Sequence, residues 1–499
     1  MKTIIYSLAA IATTLLLSAC GMEKVQNAVD TFVRPDIYPD YIGVTIPLNI
    51  APLNFSMTDN EAEMIDVVFT GQIKGELHTQ GKGVTNIDPK DWTKLLKDNV
   101  GSQLYVQVCA KYREGWKSYQ PFGINVSEDA IDYGITYRLI EPGYESYTKM
   151  GIYETNLATA EQKAILENTQ FRGCINCHAY KQGDPRNFTL HIRGDYGATI
   201  LRTETSKGTE LVTAYNTKTE NSVGSCVYPY WHPSGKYIAY SSNNTRQGFH
   251  MGGEKVIEVI DLNSDLEIYD IAKNELLLDH ILCQDSIWET FPAFSPDGKT
   301  LYFCAAEAKE LPLMIKEIRY NLYKVDFDPE TGTVGNKIDT LVNAVAMGKS
   351  VSFPKPSFDG RFLAYTLSDY GNFSVWHKES DLYLMDLTTG ESKPMTEANS
   401  NDADSYHNWS SNSRWLVLGS RRDDGMFTRP YFCHIDQDGN IGKAFMMPQK
   451  DPKTYYEGLF FSYNIPEFVT GPVELDKVAT EKAILSKDRK QMLQHLVEE

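Results

Sequence analysis

The chain has 499 residues, 48 basic against 66 acidic side chains, a formal charge of −18 and an apolar share of 42%. That length exceeds one ordinary domain, so two or three are expected, each able to bury a core. So acidic a chain repels nucleic-acid backbones and anionic headgroups alike, which argues against a nucleic-acid partner.

The first element in the chain reads as an export signal. Lys2 is followed by an apolar run from Ile4 to Leu17, shorter than a bilayer span but of the length of a signal-peptide core. It ends in Leu17-Ser18-Ala19-Cys20, which resembles a bacterial lipobox. The resemblance implies that residues 1–20 carry the signal and that Cys20 is lipidated. With Gly21 following, it implies a lipoprotein of the bacterial cell envelope, held at the outer membrane through its N-terminal lipid. Residues 21–50, with Pro35, Pro39 and Pro47, suit a tether.

Residues 51–150 predict a β-sandwich-like domain. Short alternating runs such as Asp66 to Thr70, Gln103 to Cys109 and Ile135 to Ile140 are separated by turn residues, and a helical piece spans Asp88 to Asp98. Trp116 and Tyr119 read as packing in that domain.

Residues 151–190 hold the motif with the most specific chemistry, Cys174-Ile175-Asn176-Cys177-His178. Two thiols at this spacing can add to the two vinyl groups of a haem, and the adjacent imidazole can ligate the iron. From the frequencies of Cys and His, chance alone would place C-x-x-C-H in such a chain roughly 0.003 times. No second C-x-x-C or H-x-x-x-H completes a zinc site. Thr159-Ala160-Glu161-Gln162 has the form of a capping box, predicting a short helix to about Gln170 that delivers the motif. One covalent haem c is expected, with Cys174 and Cys177 as attachment points and His178 as proximal ligand. The distal ligand stays open among His191, His232, His250, Met251 and His407, or the distal site is vacant. Of the other cysteines, Cys109, Cys226, Cys283, Cys304 and Cys433 are odd in number, so at least one stays unpaired within the chain.

Residues 191–470 carry a repeat. Tyr228 to Ser242, Thr290 to Ala305, Ser352 to Leu367 and Ser405 to Ser420 share an aromatic or apolar entry, a turn of Pro, Ser, Asp, Asn and Gly, and an alternating strand. Equivalent positions Pro229, Pro292, Pro354 and His407 are spaced by 63, 62 and 53 residues, which is one four-stranded blade plus loops. The pattern resembles the propeller repeats of the TolB family. The resemblance covers about half the chain and is degraded in the fourth copy, where Asn412-Ser413 replaces Asp-Gly. It implies a closed ring of about six blades, with five or seven as alternatives. Residues 471–499 predict a charged amphipathic helix with Val478, Ile484, Leu485, Met492 and Leu496 on its apolar face.

The expected fold is therefore mainly β: an N-terminal β-sandwich-like domain, a short helical haem segment and a roughly six-bladed propeller. Residues just after the signature strands should share one face of the disc, making Asn244, Arg246, Asp369, Asn372, Arg421, Arg422 and Asp423 a candidate binding face. No G-x-S-x-G motif supports a hydrolase. The functional expectation is a haem-bearing lipoprotein in electron transfer or redox sensing with redox protein partners. The alternative is a non-redox envelope scaffold whose propeller binds protein or cell-wall partners.

Overall fold

The computed structural model describes residues 22–142, 148–204, 210–249 and 257–497. The fold is mainly β, and its centre is a ring of six blades. Blade 1 combines Gly134–Ile140, Gly151–Asn156 and Glu161–Glu167 with the closing inner strand Ser462–Val469 from the far end of the chain. Blades 2 to 6 follow in order, with inner strands Cys174–Lys181, Cys226–Trp231, Ile287–Phe294, Ser350–Pro356 and Asp404–Trp409. A ring closed by a late strand in an early blade leaves no blade face without a neighbour.

The signature turns explain why the repeat recurs. In Ser295-Pro296-Asp297-Gly298, Asp297 Oδ1 accepts from the Ser295 hydroxyl at 2.5 Å and from the Lys299 amide at 3.0 Å, while Gly298 supplies a φ of +71°. The degraded copy keeps the geometry with other atoms. Asn412 Oδ1 accepts from Ser410 at 2.6 Å, and Ser413 itself adopts φ +60°.

Three sequence expectations are corrected. The helix expected from Thr159 is a hairpin of strands Gly151–Asn156 and Glu161–Glu167, and the haem segment lies wholly inside blades 1 and 2. Thr159 does accept from the Glu161 amide, at 3.2 Å, but as part of a tight turn; the same local hydrogen bonding serves a turn or a helix start. The tether over 21–50 contributes strands Val29–Asp30, Ile37–Tyr38 and Thr45–Pro47. The tail is helical only over Lys477–Leu485; Lys490–Gln491 and Leu493–Val497 then pair in parallel with the outer strands of blades 2 and 3. Those outer edges offer unpaired backbone groups that the tail satisfies.

The N-terminal region forms a seven-stranded sheet with a two-stranded ribbon, and the helix Pro89–Asp98, capped by Asp88, buries Trp92, Leu95 and Leu96. Its core is continuous with that of blade 6. Trp415 donates to the Asp129 carbonyl at 3.2 Å, and His434 meets the Asp129 carboxylate at 2.7 Å.

Candidate functional site at the channel mouth

Every inner strand carries one extra residue at the same place; in blades 1 to 5 two residues face one, whereas in blade 6 Tyr406 alone is skipped and His407 pairs with Leu418. In blade 2 the pairing jumps from Asn176 opposite His191 to Ala179 opposite Thr189, so Cys177 and His178 together face one residue. The bulged residues Cys177, Tyr228, Phe291, Phe353, Tyr406 and Ile465 all have positive φ, from 21° to 55°. They form a collar around the axis. Ring centroids lie 4.6 Å apart for Tyr228 and Phe291, 4.5 Å for Phe291 and Phe353, and 4.5 Å for Phe353 and Tyr406. Left-handed non-glycine residues are costly by about 1–2 kcal/mol each, and aromatic packing worth about 0.5–1.5 kcal/mol per pair beyond burial works against that. Where blades 1 and 2 meet, the collar holds Ile465 and Cys177 and no aromatic ring.

Next to each collar residue stands a proline in blades 1, 3, 4 and 5, but His178 in blade 2 and His407 in blade 6. Both imidazoles are buried and make no well-aligned hydrogen bond among the described residues, although the backbones of Thr136 and Ala364 come close enough to His178 and His407 to oppose part of the effect of burial. Burial pushes each down to about 3, helped for His178 by the charges of Arg138 and Lys355 and for His407 by Lys355, so both are neutral at ordinary pH. They line one axial cavity of about 60 Å³ together with Lys355, Asn408 and Glu467. Burial raises Glu467 to about 7, against the pull of Lys355, and lowers Lys355 in turn.

On the other side of the collar is the mouth, where two arginines converge on blades 1 and 2. Arg138 is buried; its Nη2 donates to Asn464 Oδ1 at 2.8 Å, and its Nη1 lies 3.3 Å from the Ile175 carbonyl and 3.8 Å from Cys174 Sγ. Its Nε has no partner. Arg193 is the cross-strand partner of Cys174. Burial works against its charge, but Cys177, Tyr228, Cys174 and Asp261 outweigh burial and raise its pKa. Gly173 allows this approach, since a Cβ there would lie 2.6 Å from the Arg193 carbonyl oxygen. From Arg193 a groove of about 390 Å³ runs outward between blades 2 and 3, lined by His191, Thr199, Asn243 and Thr245 among others.

A long arm roofs this region. The strands Tyr237–Phe249 and Ile257–Asp270 of blade 3 have 13 and 14 residues, against 8 and 8 for their counterparts Thr300–Glu307 and Asn321–Asp328 in blade 4. Asp261 on the arm accepts from Asn243 at 2.7 Å, Thr245 at 2.9 Å and Asn372 of blade 5 at 2.5 Å. Glu258 accepts from Tyr370 at 2.5 Å and meets His377 at 3.4 Å. The arm thus crosses blade 4 to hold blade 5, and burial raises Asp261 to about 6 despite its three donors.

The sequence-derived candidates divide accordingly. Cys177, His178 and His407 line the axial cavity, while Cys174 stands at the start of the same inner strand and outside that lining. His191 is held by Thr199 at 3.0 Å in the groove wall. His232 is elsewhere, bridging turns through Ser234 at 2.7 Å and the Gly298 carbonyl at 2.9 Å. His250, Met251 and Cys20 lie outside the described residues. The expected binding face does not converge. Asp369 pairs with Lys349 at 2.7 Å, Arg422 with Asp404 at 2.9 Å, and Asp423 accepts from Tyr431 at 2.7 Å. Arg421 is buried with its guanidinium 3.5 Å over the Trp376 ring, Asn244 and Arg246 are exposed on the arm, and only Asn372 reaches the roof of the mouth. Sequence reasoning missed Arg138, Arg193 and Asp261, which belong to no repeat signature.

The haem expectation can be tested against these positions. Three residues span about 5 Å along a helix but about 10 Å along a strand, and here Cys174 lies on the mouth side of the collar while His178 lies on the cavity side. The cavity beside His178, about 60 Å³, has room for a few waters and not for a tetrapyrrole. As folded, the two thiols and the imidazole do not fit one haem. No group of three or more His, Cys, Asp or Glu side chains is placed to hold a metal ion among the described residues, and no described helix is long and apolar enough to cross a membrane.

No family model and no curated protein matches this chain. Among solved structures it is similar to a putative 6-phosphogluconolactonase from Bacteroides uniformis, with 12% identity, a TM-score of 0.34, and coverage of 78% of this chain and 98% of that one. A periplasmic gluconolactonase from Pseudomonas aeruginosa gives 12% identity, a TM-score of 0.35, and coverage of 82% and 100%. Prolyl oligopeptidase B from Galerina marginata gives 10% identity and a TM-score of 0.35 over 68% of this chain, which spans only 42% of that one.

Proposed function

We propose that this propeller is a non-redox binding module for a small organic anion, held at the channel mouth by Arg138 and Arg193. The observation that carries the reading is the pair of guanidinium groups at the mouth. Neither has a carboxylate within ion-pair distance among the described residues, and Arg193 opens onto a groove of about 390 Å³. Pockets of this size suit small ligands, and arginine recognises carboxylate or phosphate through two parallel hydrogen bonds. Asp261 on the arm acts on Arg193 only from beyond ion-pair distance, which leaves the guanidinium free to take a ligand anion.

The test is titration calorimetry with succinate, citrate and inorganic phosphate at low and high salt. At least one should bind, and Arg138→Gln or Arg193→Gln should each weaken binding about tenfold or more. Wild-type affinity in both variants would overturn the reading.

A second reading, covalent haem c in electron transfer, is favoured by the C-x-x-C-H spelling and by two neutral imidazoles on one cavity. It requires blade 2 to rearrange on attachment. A pyridine haemochrome spectrum of the exported protein decides between the two. We also read the ring as TolB-like on its signature turns, and the chain as an exported lipoprotein anchored through Cys20. Cys20→Ser should then release the protein from the membrane pellet.

A further inference from the structure

We infer that Cys174 is a covalent capture point within the anion site, and that its ligand class is the short α,β-unsaturated carboxylates. This rests on the reading of the mouth as an anion site. Reactive cysteines are found in electropositive, partly exposed surroundings. Cys174 is partly exposed, with Arg138 Nη1 3.8 Å from its sulfur and Arg193 across the strand pair. The Nε of the buried Arg138, without a partner, is a second sign that a polar group belongs here.

The other described thiols lack this setting. Cys109 and Cys283 are also partly exposed, but burial and carboxylate neighbours push both up: Asp66 and Asp30 for Cys109, Asp265 and Glu267 foremost for Cys283. Cys226 is buried beside Glu267, and Cys304, Cys433 and Cys177 are buried as well. Selectivity among these thiols is therefore a property of place.

The chemistry balances without a co-reactant. The carboxylate is held by the guanidinium groups, and the Cys174 sulfur bonds to the β-carbon of the ligand. The π electron pair moves to the α-carbon, which takes up a proton in place of the one lost by the thiol. Nothing is oxidised and nothing leaves.

The experiment compares fumarate with neutral acrylamide on the full-length protein. Each adduct is mapped by peptide mass spectrometry, and each rate is divided by that for N-acetylcysteine. Fumarate should label Cys174 first, with a relative rate about tenfold or more above that of acrylamide, since charged clefts concentrate counter-ions by that factor or more. Arg193→Lys, which keeps the charge, should retain most of the advantage, and Arg193→Gln should remove it. Excess succinate, which has no double bond, should slow labelling in the wild-type protein, so the result does not depend on any variant folding. Equal relative rates, or labelling at Cys109 or Cys283 ahead of Cys174, would overturn the inference. If calorimetry shows an anion binding but fumarate leaves Cys174 unlabelled, the covalent step fails and the anion site stands; if none of succinate, citrate and phosphate binds and succinate does not protect, both fail.

Discussion

Blade 2 and blade 5 build the same bulge from different residues. In blade 5, Phe353-Pro354 places an aromatic ring in the collar and a proline beside it; in blade 2, Cys177-His178 places a thiol and an imidazole there. The backbone path is shared, so the repeat is a scaffold for six variable positions around an axis. Blades 3 to 6 spend them on aromatic packing. Blades 1 and 2 leave the collar narrow in side chains and carry Arg138 and Arg193 beside the gap. Polar character gathers where the repeat departs from its own rule.

The largest effect should come from the aromatic side of that contrast. Phe291→Ala removes a buried ring with a neighbour at about 4.5 Å on each side, and should lower stability by about 3–5 kcal/mol in urea unfolding. Cys177→Ala at the equivalent place loses one small buried group, about 1 kcal/mol. Equal losses would show that the collar does not act through stacking.

Two positions before the collar residue, blades 4 and 6 also differ. Asp404 has Arg422 at 2.9 Å, whereas Glu289 is 1% exposed with no cation beside it among the described residues and only poorly aligned backbone amides of Glu289 and Gln284 near its oxygens. Burial, then Asp265, pushes Glu289 up to about 10. The folded chain therefore keeps a proton that the unfolded chain loses above about pH 4.5, and stability falls as pH rises toward 10. Glu289→Gln should raise stability by about 1–3 kcal/mol at pH 8 and by little near pH 4. A gain that does not grow across thermal melts from pH 5 to 9 would assign the effect to packing.

The smallest effect concerns the two histidines in proline positions. His178→Pro or His407→Pro restores the residue that blades 1, 3, 4 and 5 use, and should stabilise by about 0.4–1 kcal/mol at pH 7. With each folded imidazole held down to about 3, the unfolded chain binds more protons below its ordinary value of 6.5, so wild-type stability is lost as pH falls from 6.5 toward 3. Each proline variant should lose less over that range. A destabilised variant with unchanged acid sensitivity would mean that the bulge in blades 2 and 6 differs from that in the proline blades.

Much of the ring was legible in the chain. Alternating strands, Ser-Pro-Asp-Gly turns and spacings of 63, 62 and 53 residues fix a propeller, because turn chemistry and side-chain period are local properties. The same spacing held a further clue, since His178 stands 229 − 178 = 51 residues before Pro229. Cys174 to His178 thus stands where another copy of the inner strand belongs, whereas the capping-box form of Thr159-Ala160-Glu161-Gln162 predicts a helix ahead of it. A spelling states which atoms are near along the chain. Whether two thiols and an imidazole converge depends on backbone conformation, and here pairing with Asp184–Arg193 makes the segment a strand. The closing strand Ser462–Val469, the arm over the mouth and the meeting of Arg138 with Cys174 all join residues far apart in sequence. The sequence alone determined the repeat, its turns and the odd dipeptide at Cys177-His178. Only the packing of blade 1 on blade 2 decided that Arg138 meets Cys174 and its hairpin partner Arg193, because it sets on one face groups from two blades that no local pairing relates.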